Sequence, residues 1–382
     1  MNYPYMAEVL FWSSIALIFY AYLGYPVFLK MISLFTRRTI RKGNIFPKVS
    51  FIIAAYNEEN RIKDKVENTL TQDYPVEKME VIVVSDCSTD RTDEIVSSYE
   101  SKGVLLIRAP KREGKEAAQK IAVERSSGEI IVFSDVATLL EPNGISNIVR
   151  NFNDPTVGCA SSVDRFIDSD GKISGEGAYV RYEMFLRNLE TKVNTLVGLS
   201  GSFFAARKEV CQDWAIDLQS DFNTLLNSVK TGLRGVSDPD SVGYYKNILD
   251  EKKEFERKVR TVLRGISVFM KGLPLLNPFK YGLFSWQLFS HKLCRWMVPF
   301  ALIAAFLSNL FLAFYSALYL STFILQLVFY AFAFGGVWVT RFSRKSFLKI
   351  PAFFVVVNLS ILMAWYWYFQ GERLRAWEPS RR

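Results

Sequence analysis

Residues 81–90 read Val-Ile-Val-Val-Ser-Asp-Cys-Ser-Thr-Asp, and this run limits the fold more than any other stretch of the chain. Four β-branched residues in succession suit a strand buried on both faces, which belongs in a parallel sheet with helices on either side. Ser85 and Asp86 end the apolar run. Ser88, Thr89 and Asp90 are turn and N-cap residues, and residues 91–98 read as a helix. A strand that ends in an acid, a turn and a helix presents its polar group at the carboxyl edge of an open α/β sheet, where such folds bind ligands. Asp86 therefore reads either as a carboxylate that accepts a ring N–H from a nucleotide base or as the cap of the turn that follows it.

The pattern recurs on both sides. Strands are expected at residues 49–55, 104–107, 130–134 and 203–206, and helices at 58–70, 115–124 and 220–230, the last stopped by Gly232. Strands alternating with helices imply a parallel sheet covered on both faces. Three of these strands end in polar residues: Tyr56, Asn57, Glu58 and Glu59; Asp86; and Asp135. Glu113, Gly114 and Lys115 open a helix and add a cation. Acids with one lysine at a sheet edge suit a nucleotide diphosphate with Mg²⁺ or Mn²⁺, the carboxylates toward the metal and the lysine toward the phosphates. The chain has no Gly-rich loop ending in Lys-Ser/Thr and no G-x-G-x-x-G after the first strand, which removes the motifs of ATPases and dinucleotide dehydrogenases.

The rest of the chain is membrane-like. Residues 7–35 carry no basic residue before Lys30 and can span a bilayer with tilt. A cleaved signal peptide fits poorly, because the N-terminal side holds Glu8 and no Lys or Arg. Arg37, Arg38, Arg41, Lys42 and Lys48 follow, which marks that side as cytoplasmic and carries everything to about Arg295 with it. Residues 274–296 read as an amphipathic segment in the membrane interface. Spans are expected at 298–319, 323–340 and 351–369, with Arg341, Arg344, Lys345 and Lys349 forming a basic loop. Four spans from an outside N-terminus put the C-terminus outside, whereas Arg373, Arg375, Arg381 and Arg382 argue for inside. The domain division expected is 1–36 for the first transmembrane segment, 49–272 for the cytoplasmic catalytic domain, 273–296 for the interfacial segment, 297–370 for the C-terminal transmembrane region and 371–382 for a basic tail. The net charge of +9 lies largely beside apolar segments, so it serves membrane orientation and not nucleic-acid binding. Four scattered cysteines and a single histidine, His291, offer no metal-ligand spacing.

Several pieces of the chain, in order, resemble the membrane-bound family-two glycosyltransferases, the group of cellulose, chitin and hyaluronan synthases and many bacterial exopolysaccharide glycosyltransferases. They are Ile-Ile-Ala-Ala-Tyr-Asn-Glu-Glu at 52–59, Ser-Asp-Cys-Ser-Thr-Asp at 85–90, Gly-Lys at 114–115, Phe-Ser-Asp-Val-Ala-Thr at 133–138, Gly-Leu-Ser-Gly-Ser-Phe-Phe-Ala-Ala-Arg at 198–207, Ser-Asp-Phe at 220–222 and Arg-Trp at 295–296. The resemblance implies an α/β catalytic domain of GT-A (Rossmann-like) fold, with an N-terminal transmembrane helix and C-terminal interfacial and transmembrane helices. It implies that Tyr56, Asn57 and Glu58 line a nucleoside pocket, that Asp86 meets the base, and that Lys115 meets the base or phosphates. Asp135 would be the first acid of the D-x-D motif and hold Mg²⁺ or Mn²⁺. Ser200, Gly201 and Ser202 would border the acceptor, Asp221 would be the general base, and Arg295 and Trp296 would close the donor site as the end of Q-x-x-R-W.

Two positions depart from the family pattern. Ala137 replaces the second D-x-D acid, and Lys292 replaces the Gln of Q-x-x-R-W, a motif that accompanies processive polymerisation. The expected activity is inverting transfer from a nucleotide sugar, a UDP-sugar, to a hydroxyl of a glycan or lipid-linked acceptor in polysaccharide synthesis at the bacterial inner membrane. Membrane lipids, a second copy or other assembly subunits are the expected partners. Two alternatives stand beside it: transfer of one sugar to a polyprenyl phosphate, which needs no base, and a nucleotide-sugar-binding membrane subunit without turnover.

Overall fold

The computed structural model describes residues 3–167, 178–246, 251–339 and 349–373. The chain divides into two compact units, one made of Met1–Phe28, Leu249–Ile266 and Trp286–Glu372, the other of Leu29–Ile248, Ser267–Ser285 and Arg373–Arg382.

The second unit is built on one eight-stranded sheet. Its strands are β1 (Val49–Ala55), β2 (Met79–Ser85), β3 (Val104–Arg108), β4 (Ile130–Ser134), β5 (Leu139–Leu140), β6 (Val157–Ile167), β7 (Phe203–Arg207) and β8 (Arg234–Lys246), in the order β3-β2-β1-β4-β7-β6-β8-β5. Side chains alternate across a strand, so β1 sends Val49, Phe51 and Ile53 to one face and Ile52 and Ala54 to the other. The first set packs with Ile62 and Val66 of helix Ile62–Leu70 and with Ile145, Ile148 and Phe152. The second set packs with Ala118 and Ala122 of helix Lys115–Arg125 and with Leu225 of helix Ser220–Lys230. Burial on both faces accounts for the continuous apolar runs of β1, β2 and β4.

The sheet is mixed, which corrects the expectation of a parallel one. β1, β2, β3 and β4 pair in parallel, but β7 runs antiparallel between β4 and β6, and β5 runs antiparallel to β8. The expected helix at 58–70 begins only at Ile62: residues 56–61 form a turn, in which the Asn57, Glu58 and Glu59 N–H groups donate to side chains of the turn after β2. β5, β6 and β8 and helix Ala178–Val193 were not foreseen in the sequence.

Four helices among the described residues are long and apolar enough to cross a membrane: Tyr3–Phe35, Leu283–Leu312, Ala317–Gly336 and Ile350–Phe369. Their outward faces stay apolar, with Leu325 69% and Phe369 73% exposed, as lipid-facing positions require. Leu283–Leu288, a π-helical stretch Phe289–Cys294 and Arg295–Leu312 follow one another without interruption. A second π-helical stretch, Tyr20–Gly24, interrupts the first span, and its Tyr20 hydroxyl lies 2.7 Å from Ser290 Oγ. Arg341, Arg344, Lys345, Arg375, Arg381 and Arg382 lie outside the described residues.

Candidate active site

The carboxyl ends of β1, β2 and β4 converge as three acid-bearing turns. After β1 the backbone N–H groups of Asn57, Glu58 and Glu59 donate to Ser88 Oγ (3.1 Å), Thr92 Oγ1 (2.8 Å) and Asp90 Oδ2 (3.0 Å) of the turn after β2. Asn57 Oδ1 in return accepts from Thr89 N (2.8 Å). Asn57 (φ 51°) and Cys87 (φ 59°) both sit in the left-handed region, one at each strand end. That conformation costs an L residue about 1–2 kcal/mol, and the reciprocal bonds between the two turns hold it in place.

Asp86 is 3% exposed and is used from behind. Its two carboxylate oxygens accept the backbone N–H groups of Glu113 (3.0 Å) and Gly114 (2.9 Å). Gly114 adopts φ 97°, a value that favours glycine, and it caps the helix that starts at Lys115. Asp86 thus fixes the start of the helix that carries the site's cation, and each oxygen retains a second lone pair for a ligand N–H.

Lys115 pairs with Asp135 and also donates to the carbonyl of Gly201 (3.0 Å). Burial pulls its ammonium down, but the Asp135 carboxylate beside it outweighs this and holds the lysine above its ordinary value. Asp135 is anchored through its own N–H to the carbonyl of Ser202 (2.9 Å). Beneath this turn sits Lys65, with no exposed surface, donating to Ser134 Oγ (2.7 Å) and the carbonyl of Thr138 (2.6 Å). Burial lowers its pKa to about 7, against a smaller upward pull from Asp135. Lys65 carried no motif and went unremarked in the sequence.

Residues 200–202 connect these groups to two further acids. Asp221, in the first turn of helix Ser220–Lys230, is 7% exposed and accepts from Gln219 Nε2 (3.1 Å). A Cβ on Gly201 would lie 3.0 Å from Asp221 Oδ2. Asp164, on β6, is the residue the sequence reading missed. Ser200 Oγ donates to both of its oxygens (2.7 Å each), and Ser202 Oγ donates to Oδ1. Ser200 is held in turn by its own N–H to Ser161 Oγ (2.7 Å), which also receives the Arg187 guanidinium. Burial holds the Asp164 carboxyl above its ordinary value, with Asp135 adding to the effect.

A cavity of about 710 Å³ opens beside the β4 turn, lined by Asn57, Glu58, Arg61, Ala137, Tyr244 and Tyr245 among others. Glu58 closes on Arg61 (2.6 Å), and burial keeps its carboxyl above the usual range. Tyr56 lies under the Arg112 guanidinium, 3.9 Å from its ring centroid. The sheet unit therefore brings together Asp86, Lys115, Asp135, Ser200, Gly201, Ser202 and Asp221, with Asn57 and Glu58 on the cavity wall. Arg295 and Trp296 belong to the helical unit. There Arg295 is within 3.5 Å of His291 and faces the Tyr22 ring, while Lys292 lies over Trp296.

Among the described residues no three His, Cys, Asp or Glu side chains gather as a metal cage. Asp135 alone, with 30% of its side chain exposed, fits a Mg²⁺ or Mn²⁺ held mainly by diphosphate oxygens and water, a common arrangement for Mg²⁺.

Residues 50–214 match the family model described as Glycosyl transferase family 2. Among curated proteins, the poly-beta-1,6-N-acetyl-D-glucosamine synthase of Staphylococcus aureus is 25% identical over 195 residues, which cover 49% of this chain and 46% of that one. An N-acetylglucosaminyltransferase of Mesorhizobium japonicum is 34% identical over 123 residues, 31% of this chain and 28% of that one. The chain thus spans about half the length, or less, of these relatives. Among solved structures, the mannosyltransferase PcManGT from Pyrobaculum calidifontis, in complex with GDP-Man and Mn²⁺, superposes with a TM-score of 0.74 at 22% identity, covering 96% of this chain and 99% of that one. This last likeness establishes the fold.

Proposed function

We propose, from the family-two glycosyltransferase domain of GT-A fold that this chain carries at residues 50–214, that it transfers a sugar with inversion from a nucleotide donor, a UDP-sugar, to a hydroxyl of a glycan or lipid-linked acceptor in polysaccharide synthesis. The observation that carries this reading is the meeting of Lys115, Asp135 and Asp221 on the three-residue segment 200–202. That segment gathers one cation and one metal-capable acid, suited to the leaving group, with a second acid suited to the nucleophile.

Asp86 would receive the base, and Asn57 and Glu58 would border the nucleoside. Lys115 would leave Asp135 to neutralise the leaving diphosphate. A bound Mg²⁺ or Mn²⁺ at Asp135 would supply Lewis-acid stabilisation of that same leaving group. Asp221 would take the proton of the acceptor hydroxyl as the new bond forms. The family motif assigns Arg295 and Trp296 to donor binding. The four apolar helices support an integral membrane protein, and Arg37, Arg38, Arg41, Lys42 and Lys48 after the first span support a cytoplasmic catalytic domain, where nucleotide sugars are made.

The test is nucleotide release by the purified full chain across a panel that includes UDP-N-acetylglucosamine, UDP-glucose and GDP-mannose, with the product weighed by mass spectrometry. Turnover with one donor and a product one sugar heavier is expected. No release with any donor would sink the reading and leave the non-catalytic subunit.

A further inference from the structure

Four features single out Asp164. It stands on β6, outside every motif of the sequence, yet it bonds to both serines of the segment on which the reaction groups converge. Among the described residues it forms no ion pair, and Arg187 bonds to Ser161 Oγ and the Gly198 carbonyl. It shares its anchor with Asp135: Ser202, which donates to Asp164, accepts the Asp135 N–H at its carbonyl (2.9 Å). It is also only half-buried, so a ligand can reach it. A partly desolvated carboxylate near another acid without a salt bridge is a stability liability, and such arrangements concentrate at functional sites.

Its position decides what it would touch. The Gly201 carbonyl holds Lys115, which pairs with Asp135, and the same glycine abuts Asp221. Gly201 therefore joins the groups proposed for the leaving diphosphate, Lys115 and Asp135, to the acid proposed for the incoming hydroxyl, and the transferred sugar would pass beside it. Asp164 is reached from Ser200 and Ser202, the residues flanking that glycine, and so lies beside the same segment. Oδ1 accepts from both serines and Oδ2 from Ser200 alone, so Oδ2 keeps a lone pair that can accept a sugar O–H.

We infer that Asp164, aimed by Ser200 and Ser202, is a specificity-determining residue that accepts hydroxyl hydrogen bonds from the sugar being transferred. The inference rests on the glycosyltransferase reading given above. It separates Asp164 from Asp86, which holds the nucleotide end, and from Asp221, which serves the acceptor.

The experiment compares, by calorimetry with Mn²⁺ on the detergent-solubilised full chain, the affinity for a nucleotide sugar with that for its bare nucleotide: UDP-N-acetylglucosamine or UDP-glucose against UDP, and GDP-mannose against GDP. Asp164→Ala is expected to lower the ratio of sugar-nucleotide to nucleotide affinity by about ten-fold, the size of a hydrogen bond to a charged group, with bare-nucleotide affinity unchanged. Asp164→Asn and Ser202→Ala should lower it by less. A ratio unchanged in Asp164→Ala, or an equal loss for both ligands, overturns the inference while the glycosyltransferase reading stands. Should Asp164→Ala fail to fold, an unchanged ratio in Ser202→Ala overturns it equally. Wild-type chain that binds none of the five ligands overturns the functional reading and this inference with it.

Discussion

Gly201 and Asp221 are close enough that a single methyl group on the glycine would come within 3.0 Å of the carboxylate, tighter than side chains normally pack. Asp221→Asn keeps this contact and the helix start but removes the base. The transfer rate should fall by about 10²- to 10⁴-fold, with normal folding and near-normal nucleotide affinity. Gly201→Ala should crowd the carboxylate and lower the rate by less. Asp217, paired with Lys271 (2.5 Å), is the control, and Asp217→Asn should stay within a few-fold of wild type. An active Asp221→Asn variant would favour an acceptor that is already ionised, such as a lipid phosphate.

Asp86→Ala removes a ligand for the base and also releases the Glu113 and Gly114 N–H groups that set the start of the Lys115 helix. Hydrogen bonds to a charged group contribute about 1.5–3 kcal/mol, so UDP affinity should fall roughly ten-fold or more. Calorimetry giving wild-type affinity would remove Asp86 from the donor site.

EDTA should abolish transfer, and Mn²⁺ or Mg²⁺ should restore it. Asp135→Asn should lose the restoration. Ala137→Asp, which supplies a second acid on the same turn, should lower the metal concentration at half-maximal rate. Full activity in chelator would instead make Lys115 the group that offsets diphosphate charge.

Lys65 gives the sheet unit a measurable pH dependence. Its folded pKa of about 7 lies below the ordinary 10.5, so the unfolded chain holds the proton more tightly. Stability should therefore rise with pH across that window: the penalty is complete below about 7 and gone above 10.5. Lys65→Met lacks this dependence. The difference in melting temperature should shift in favour of wild type between pH 7 and pH 10, and a constant difference would show that the lysine does not titrate in that range.

Sidedness can be read with one introduced thiol. Val76 is 79% exposed on a turn of the sheet unit, and Val76→Cys in a Cys87→Ser background should be protected from a membrane-impermeant thiol reagent in intact cells and react after lysis. Native Cys159 contributes no signal, because it is fully buried and its thiol is pushed up to about 12. Labelling before lysis would put the sheet unit outside.

The strands legible in the sequence were those whose burial is uniform. β1 and β4 begin and end where the apolar runs at 49–55 and 130–134 do. β6 was not legible, because Ser161, Ser162 and Asp164 break its apolar pattern and their partners lie elsewhere in the chain. β8 holds Asp238, Pro239 and Asp240 in mid-strand, a run whose residue types read as a turn. In the fold Asp238 has no exposed surface and is held by Lys42 (2.8 Å) and Asn151 (2.7 Å), which makes it structural.

The sequence by itself determined the features that depend on neighbours along the chain. These are the apolar spans, the order of strands and helices, and the placement of Asp86 and Asp135 at strand ends, each set by the composition of a few consecutive residues. Tertiary structure alone decided which acids meet. The insertion of antiparallel β7 between β4 and β6 brings residues 200–202 against Asp135 and Asp164, contacts that span 36 and 38 residues for the two serine bonds to Asp164. It also placed Lys65, an ordinary polar position in a short amphipathic helix, beneath the Asp135 turn as a buried cation. Periodicity reports which face of an element is apolar, but a hydrogen bond between distant side chains is fixed only when the sheet pairing has set their separation.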